Sequence, residues 1–581
     1  MASANARYHI VFNGEIYNHL ELRRLLPPKM WRGHSDTETV LACLVEWGVE
    51  RTLQALTGMF ALAAYDRAER RLILARDRFG EKPLYYGYAA GTLVFASELK
   101  ALLTVPGFEA SIDRQALSLY MRMGYVPAPH SIYSSMRKLM PASWIEVDAG
   151  SVSARSTPKP TAYWSAVDAA AAGERAPVQV SDSEAVAMLD RVLADAVKGQ
   201  MISDVPLGAF LSGGIDSSTI VALMQAQSSR PVQTFSIGFE EAQYDESVQA
   251  RAVAAHLGTQ HTELIVRAND ALALVPAMPR VYDEPFADSS QLPTLMVAQL
   301  ARRHVTVALS GDGGDELFAG YNRYFLGARW WPRLARLPRA LRLGCARGLC
   351  LLSPRSWDRL MGALLAAAPS RYQMRMTGDK ILKVADALSC RDGQELYQRL
   401  VSQSSLEPLV LDAGPAQAQP EGPWTAVSDL THRMMLLDAL TYLPDDILVK
   451  VDRAAMSVSL ETRVPFLDHK VFELAWRLPM RMKVRDGRGK WLLRQLLYRY
   501  VPQQLVERPK MGFAVPLDAW LRGPLRDWAE HLLGESRLRQ EGFLDAGAIQ
   551  RKWREHLTGR RNWQYQLWNV LMFEAWLESA R

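Results

Sequence analysis

A short stretch of the chain, residues 210–218 with the sequence FLSGGIDSS, carries the residue types needed to bind a phosphate chain. Gly213 and Gly214 lack the Cβ atoms that would keep an anion away from the backbone. A helix that begins after them would point its unpaired N–H groups and its positive dipole end at that anion. The serines add hydroxyl donors, and Asp216 is placed to hold a divalent cation over the phosphates. The stretch therefore predicts a pyrophosphate-binding loop.

The same letters have a second interpretation. Gly-Gly-x-Asp-Ser is also typical of a turn that caps a helix, and this stretch alone does not separate the two. Other stretches that point to the same chemistry decide between them.

A second loop, residues 310–321 with the sequence SGDGGDELFAGY, places three carboxylates among four glycines. Three acids in one loop are costly unless cations or ligand amines share their charge. A calcium-binding loop is the other interpretation, but the glutamate that such a loop needs at its twelfth position is missing. The composition favours a second ligand-binding loop.

Two further stretches hold charged residues at suggestive spacing. Residues 282–290 read YDEPFADSS, in which Asp288 and Ser289 could contact a small substrate, although a capping turn explains them as well. Residues 443–468 predict a helix up to about Ser459, with Lys450 and Arg453 on one face. A solvated basic helix face is the alternative there.

Composition limits the classes of protein. The chain has 581 residues, of which 49% are hydrophobic and 22% charged, which indicates a globular protein of two to four domains. The formal charge of +6 is small for this length, and we expect an anionic small substrate and no nucleic acid.

The cysteines and the hydrophobic pattern bear on location. Four cysteines form neither CxxC pairs nor a disulfide framework, which favours a reducing cytoplasm. Cys43 lies at a helical apolar spacing and is predicted to be part of the core. No signal peptide is evident, and no run of about 20 uncharged apolar residues predicts a membrane-spanning helix.

The predicted elements differ between the two ends of the chain. Strand-like runs at residues 8–12, 59–65, 71–76 and 84–95 predict a mostly antiparallel sheet backed by helices. From residue 184, strands at 205–211, 232–239, 261–266 and 305–309 alternate with helices, which predicts a parallel, doubly wound sheet. Such sheets bind ligands at the carboxyl ends of their strands, where both glycine loops fall.

Several segments resemble the family of glutamine-hydrolysing asparagine synthetases. They are NGEIYN, SDTE, GMFALAAYD, ARDRFGEKPLYY and FASELKALL, together with both glycine loops and LETRVPFLD. The resemblance implies an α/β multidomain protein: a partial N-terminal-nucleophile glutaminase sandwich (1–150), a linker (151–183) and a doubly wound ATP pyrophosphatase domain with a helical C-terminal part (184–581).

The resemblance also implies a glutamine pocket. Asn13 and Gly14 would form the oxyanion hole, Glu15 would lie beside it, and Asp36 would hold the α-amino group of glutamine. An amide and a backbone N–H can stabilise an oxyanion, and a carboxylate can pair with an ammonium. A simple Asn-Gly hairpin turn is the other interpretation.

In the other domain the resemblance implies an ATP site. Asp216 and Asp315 would bind magnesium, Asp312 would support formation of the acyl-adenylate, and a cation, Arg453 as first choice and Lys450 as second, would stabilise phosphate charge. The implied ATP-binding residues are Leu211, Ser212, Gly213, Gly214, Asp216, Ser217, Ile237, Ser310 and Gly311. Residues 508–522 resemble the closing loop of the family, with Lys490 as a nearby basic contact.

The expected function is ATP-dependent amidation of aspartate to asparagine through a β-aspartyl-adenylate, with ATP and Mg as cofactors. The family begins Met-Cys-Gly, whereas this sequence begins Met1-Ala2-Ser3. Without the nucleophilic cysteine we expect an inactive glutaminase and nitrogen from free ammonia, and we favour a truncated start over a true ammonia-dependent enzyme.

Two alternative functions stay open, and the sequence also bears on the partners. The acceptor could be another carboxylate, such as a cell-surface sugar acid, and a non-catalytic nucleotide-binding remnant is the alternative from another class. The expected partners are aspartate and glutamine or ammonia. A homodimer is left open.

Overall fold

The computed structural model describes residues 1–156, 158–240, 245, 247–353, 356–360, 378–403, 409–414, 422–507 and 515–580, without the side chains of 326, 328, 329 and 379. Its strands are β1 Tyr8–Ile16, β2 Gly58–Asp66, β3 Arg71–Arg76, β4 Tyr85–Ala89, β5 Thr92–Ala96, β6 Met136–Lys138, β7 Ser143–Val147, β8 Thr161–Ala162, β9 Leu207–Phe210, β10 Gln233–Phe239, β11 Gln260–Val266, β12 Val307–Leu309 and β13 Glu461–Arg463.

The helices of the amino-terminal part, which extends to β8 and the helix after it, are His19–Leu25, Asp36–Trp47, Val49–Ala55, Leu99–Leu102, Arg114–Met123, Ala149–Ser153 and Ala166–Arg175. Those of the carboxy-terminal part up to residue 350 are Asp182–Gln200, Ile215–Gln227, Ser247–Leu257, Ala268–Leu274, Val275–Ala277, Met278–Val281, Gln291–Arg302, Gly314–Leu317, Asn322–Leu334 and Arg339–Cys350. Beyond it come Gly378–Ser389, Gly393–Val401, Gly422–Thr425, Leu430–Leu437, Asp438–Ile447, Leu448–Met456, Pro465–Leu467, His469–Arg477, Met480–Lys483, Trp491–Leu497, Gln503–Val506, Leu517–Arg522, Arg526–Leu532, Glu535–Glu541, Ala546–Leu557 and Gln564–Ala580.

The amino-terminal part contains two antiparallel sheets, ordered β1-β2-β3-β7-β8 and β5-β4-β6. This confirms the predicted antiparallel architecture. Cys43 is fully buried in the helix Asp36–Trp47, and burial raises the pKa of its thiol to about 12, as expected of a core residue.

Asn13 and Gly14 lie inside β1 and not in a hairpin turn. Gly14 pairs with Phe60 of β2 and has a φ of 152°. A Cβ atom at Gly14 would lie 2.7 Å from the Phe60 Cα, so the close approach of β2 requires glycine here. The Asn-Gly turn interpretation is therefore wrong.

The carboxy-terminal part is built on a parallel sheet ordered β11-β10-β9-β12-β13, which confirms the doubly wound α/β prediction. From β9 the chain winds through β10 and β11 to one edge, and β12 and β13 extend the sheet to the other. The direction in which successive strands are added to the sheet therefore reverses between β9 and β12. A crevice at the carboxyl ends of strands forms at such a reversal.

Two local features differ from the sequence prediction. The helix predicted over residues 443–459 is divided into a π-helix, Asp438–Ile447, and an α-helix, Leu448–Met456; Pro444, which cannot donate a backbone hydrogen bond, lies in the wider turns. Strand β13 was not predicted, because a strand of three residues has too little pattern. The sequence also predicts a helix from Tyr244 to Leu257; residues 244 and 246 lie outside the described residues, and the structure describes this helix from Ser247.

The interpretation of residues 151–183 as a linker, and the domain limits, stay predictions. In the structure this stretch contains β8, which pairs with β7, and the helix Ala166–Arg175. Gly173 on that helix lies directly against the backbone of Trp476, since a Cβ there would be 2.7 Å from the Trp476 carbonyl carbon. The stretch is thus packed against the carboxy-terminal part.

No helix among the described residues is long and apolar enough to cross a membrane.

A buried ion pair joins the two parts of the chain. Lys82, which follows β3, donates to Asp452 on the helix Leu448–Met456 at 2.9 Å, and both side chains are more than nine-tenths buried. The pair fixes the position of this helix relative to the amino-terminal sheets.

Replacing Lys82 by Met should destabilise the protein by about 3 kcal/mol or more, because the Asp452 carboxylate would stay buried without its cation. Thermal and denaturant unfolding measure the effect. The control Arg71→Met breaks the exposed pair with Glu146 and should cost less than about 1 kcal/mol. Equal losses in the two variants would contradict this role of the buried pair.

Candidate active site

The two glycine loops meet at the reversal of the sheet. One follows β9 and leads into the helix Ile215–Gln227, and the other follows β12. A Cβ atom at Gly311 would lie 2.6 Å from the Ser217 nitrogen, and one at Gly314 would lie 2.7 Å from the Asp216 Cγ. These glycines therefore let the second loop pack directly on the first turn of the helix.

The first loop is fixed by its own contacts. Gly213 has a φ of 71°, which favours glycine, and a Cβ atom there would lie 2.8 Å from the Ala250 nitrogen. The hydroxyls of Ser212 and Ser217 lie 3.0 Å apart, and the Ser212 N–H donates to Ser217 at 3.2 Å. The N-terminus of the helix Ile215–Gln227 is thereby directed into the space between the loops.

That space is a cleft of about 1330 Å³, large enough for a nucleotide and a small second substrate. The predicted site residues that line it are Leu211, Ser212, Gly214, Asp216, Ser217, Asp288, Ser289, Ser310, Gly311, Asp312, Asp315 and Lys450. Gly213 does not line the cleft; it packs against the backbone of Ala250. Ile237 lies within β10, where its side chain is buried in the core, and it does not line the cleft.

A lysine binds both of the predicted metal-binding carboxylates. The ammonium of Lys490 contacts Asp216 and lies 2.5 Å from an oxygen of Asp315. Burial lowers the pKa of Lys490, but the two carboxylates outweigh this effect and raise it above its usual value. The sequence suggested a basic contact near the loops, and only the structure shows that it joins Asp216 to Asp315.

The described residues contain no group of three or more His, Cys, Asp or Glu side chains able to hold a metal alone. Asp216 and Asp315 nevertheless converge on one cation. Magnesium in nucleotide sites commonly takes one or two carboxylates, with the remaining ligands from phosphates and water. The pair therefore fits a magnesium ion that arrives with a nucleotide.

A second cation lies on the opposite wall of the cleft. Lys450 donates to Asp288 and to the Ser290 hydroxyl, at 2.8 Å each. Burial opposes ionisation of Asp288, but Lys450 and the hydrogen bonds from Ser290 prevail and lower its pKa. This wall thus presents an ion pair to any substrate that reaches it.

Two acids of the second loop, Asp312 and Glu316, have pKa values above their usual range. Burial raises the pKa of Asp312, whose carboxylate accepts a hydrogen bond from the Ser310 hydroxyl. Burial and the Asp315 charge raise the pKa of Glu316 to about 7, and Tyr321 donates to it at 2.6 Å. Glu316 lines the cleft but was not singled out from the sequence, although it belongs to the second loop.

The structure does not bring Arg453, the first-choice cation, to the cleft. Its guanidinium is buried on the side of the helix Leu448–Met456 that faces the amino-terminal part, where it donates to the Ser97 carbonyl at 2.7 Å. It also pairs with Glu98 at 3.3 Å and Asp283 at 3.4 Å. Spacing on one helix face did not show that two long side chains would extend in different directions. Lys450, the second choice, lines the cleft.

Of residues 508–522, which resemble a closing loop, residues 508–514 lie outside the described residues, and the described remainder includes the helix Leu517–Arg522.

Comparison with known proteins decides the family. The model of the asparagine synthase family matches residues 188–578, and that of a glutamine amidotransferase domain matches residues 1–164. The first covers more than half of the chain. The chain belongs to the asparagine synthetase family.

Full-length relatives agree with this assignment. A Mycobacterium tuberculosis protein provisionally named asparagine synthetase (glutamine-hydrolyzing) is 37% identical over 580 residues, 98% of this chain and 84% of its own. Asparagine synthetase (glutamine-hydrolyzing) 1 of Bacillus subtilis is 32% identical over 581 residues, 98% of this chain and 85% of its own. The similarity therefore includes both parts of the synthetase chain.

The predicted glutamine-pocket residues of this synthetase lie at the boundary with the carboxy-terminal part. Asn13 donates to the Ser97 hydroxyl at 3.0 Å, and the carbonyl of Ser97 accepts from Arg453. Asp36 accepts from the backbone N–H groups of Ile16 at 2.8 Å and Thr37 at 2.6 Å. Asp36 therefore joins the end of β1 to the helix Asp36–Trp47.

Glu15 reaches the carboxy-terminal part directly. Its carboxylate lies 3.5 Å from the guanidinium of Arg463 on β13, and the Arg463 carbonyl accepts from the Ser310 N–H at 2.8 Å. Burial and the charge of Asp36 raise the pKa of Glu15 to about 7, although Arg463 opposes the shift. The predicted glutamine pocket and the second glycine loop thus share one arginine.

Replacing Gly311 by Ala should push the two loops apart, because the new methyl would collide with the Ser217 backbone. We expect a loss of stability of about 1 to 3 kcal/mol, and a fall in affinity for MgATP of about tenfold or more, since 1.4 kcal/mol corresponds to tenfold. Calorimetric titration measures the affinity. Gly422→Ala is the control, since nothing lies within 4 Å of its Cβ position; unchanged affinity in Gly311→Ala would refute the packing argument.

Glu15 should contribute a pH dependence to stability. The folded protein keeps the Glu15 proton up to a pH of about 7, whereas the unfolded chain releases it near 4.5, so ionisation of Glu15 costs stability as pH rises between these values. Glu15→Gln should remove this loss, which unfolding measured across the same range would show. The exposed Glu69→Gln is the control, and the prediction fails if Glu15→Gln leaves the pH profile unchanged.

Proposed function

We propose that this protein forms asparagine from aspartate and ATP through a β-aspartyl-adenylate, with the amide of glutamine or free ammonia as the nitrogen source. The observation that carries the proposal is the convergence of both glycine loops on one cleft. Asp216, Asp315 and Lys490 form its phosphate side, and Lys450 and Asp288 lie on the opposite wall. Family membership supports the same chemistry.

The phosphate side binds the ATP tail. The N-terminus of the helix Ile215–Gln227 directs backbone N–H groups at the pyrophosphate, and Ser212 and Ser217 add hydroxyls. Asp216 and Asp315 would hold the magnesium ion, which supplies charge compensation to the phosphates. Lys490 contacts the carboxylates of Asp216 and Asp315. Its positive charge opposes the negative charge of the departing pyrophosphate.

The opposite wall binds the amino-acid acceptor. Asp288 is suited to pair with the α-ammonium of aspartate, and Lys450 with a carboxylate or with the α-phosphate. The β-carboxylate oxygen of aspartate forms a bond to the α-phosphorus, and the bond to pyrophosphate breaks. Ammonia then bonds to the activated carbonyl carbon, AMP leaves with the electron pair, and a proton leaves the nitrogen. Asp312 is the acid placed between the two walls.

Release of ammonia from glutamine would take place in the amino-terminal part. Asn13 and Gly14 would stabilise the oxyanion formed when the glutamine amide is cleaved, and Asp36 with Glu15 would hold the α-amino group. Amidation of a sugar acid and a non-catalytic remnant are not favoured by the relatives. Use of free ammonia and a homodimer stay predictions.

ATP–pyrophosphate exchange with aspartate and an ammonium salt tests the proposal, since it does not require glutamine hydrolysis. The protein should catalyse exchange only when aspartate is present, and Lys490→Met should lower the rate about a hundredfold or more because two buried carboxylates lose their cation. Lys470→Met, an exposed lysine outside the cleft, should leave the rate unchanged.

Two outcomes would contradict the proposal. Exchange that responds to a uronic acid and not to aspartate would assign a different acceptor. Absence of exchange with any carboxylate, in a protein that melts cooperatively and binds MgATP, would assign a binding protein.

A further inference from the structure

Beyond the first turn of the helix Asn322–Leu334, which lines the cleft, the structure presents a surface rich in arginine, formed by this helix, by the helix Arg339–Cys350 and by residues 351–353. We refer to it as the arginine surface. From residue 317 to residue 357 the sequence contains eight arginines and no Asp, Glu or Lys, in a chain whose net charge is only +6. Positive charge is therefore concentrated here, a feature that the average composition conceals.

One side of the arginine surface is attached to the protein. Arg323 pairs with the buried Asp438 at 2.8 Å. Arg342 is buried, donates to the Cys390 carbonyl at 2.7 Å and lies 5.4 Å from the ring centre of Trp331. These contacts hold both helices in a fixed orientation. Two of the arginines are thus used internally.

The other side faces solvent. Its exposed apolar side chains include Trp330, Leu341 and Leu351, which are 52%, 54% and 84% exposed, together with Leu337 and Leu352. On the helix Arg339–Cys350, Leu341 lies about a quarter turn from the buried Arg342, and the space beside Gly344 and Gly348 is open. Large apolar side chains at this density are unusual on a solvent-facing helix pair.

Exposed arginines occur in the same stretch as these apolar side chains. Arg333, Arg336, Arg339 and Arg347 are all exposed. Apolar side chains, tryptophan among them, flanked by arginines are characteristic of helices that lie in the plane of a membrane interface. The leucines and Trp330 would enter the acyl boundary while the arginine stems extend along it and place their charges at the headgroups.

We propose that the arginine surface binds peripherally to a bilayer rich in anionic lipid. Charge complementarity favours this occupant, because arginines near an anionic leaflet each contribute about 1 kcal/mol. Nucleic acid would use the arginines but leave the leucines in water. A second copy of the chain would bring its own arginines against these, with no acidic side chain in the stretch to pair with them.

Vesicle sedimentation with the full chain tests this proposal independently of the enzymatic activity. The protein should sediment with vesicles of phosphatidylcholine mixed with phosphatidylglycerol, remain in solution with phosphatidylcholine alone, and be released by salt as exposed charges are screened.

Two paired variants separate the apolar and the charged contributions. Leu341→Ser with Leu351→Ser should weaken vesicle binding about tenfold or more, because each leucine loses its apolar burial. Arg336→Gln with Arg339→Gln should weaken it by about 25-fold, since each arginine contributes about a fivefold factor. The matched controls are Leu411→Ser for the first pair and Arg67→Gln with Arg70→Gln for the second, all exposed and distant in sequence.

Unchanged melting temperature and ATP–pyrophosphate exchange rate would show that these variants are folded. The proposal is overturned if the protein does not bind anionic vesicles at low salt, or if the controls weaken binding as much as the variants. Binding of single-stranded DNA without vesicle binding would overturn it in favour of nucleic acid. A dimer that dissociates in the leucine variant, again without vesicle binding, would overturn it in favour of self-association.

Discussion

The backbone of the loop after β12 packs directly against the first helical turn after β9, and the rest of the cleft depends on this contact. Gly311 and Gly314 permit it, since any side chain there would meet the Ser217 nitrogen or the Asp216 carboxylate. The contact brings Asp216 and Asp315 to the same cation, Lys490. In this protein the glycines of the second loop therefore serve loop packing as well as the phosphate binding proposed for them.

The contact also concentrates negative charge, which the fold must compensate. Asp216, Asp288, Asp312 and Asp315 all line one cleft, and an unpaired carboxylate there would be costly. Lys490 pairs with two of these acids and Lys450 with a third, while the raised pKa of Asp312 favours its protonated form. Ion pairs thus hold both lysines in position in the cleft.

The helix Leu448–Met456 connects this cleft with the predicted glutamine pocket. Lys450 on one side faces the acceptor wall, whereas Asp452 and Arg453 on the other contact Lys82 and Ser97 of the amino-terminal part. Ser97 in turn accepts from Asn13. This helix therefore contacts both Ser97, the partner of Asn13 in the predicted glutamine pocket, and Asp288 of the cleft.

The sequence by itself determined the two sheet types, the positions of both glycine loops at strand ends and the family, because periodicity and short loop motifs are local properties. It also identified Lys450, Asp288 and Lys490 as candidates. Only the tertiary structure decided that Lys490 joins Asp216 to Asp315, that Arg453 turns away from the cleft, and that Glu15 shares Arg463 with the second loop. These outcomes depend on which way long side chains extend and on contacts between residues hundreds of positions apart, and no local pattern encodes either.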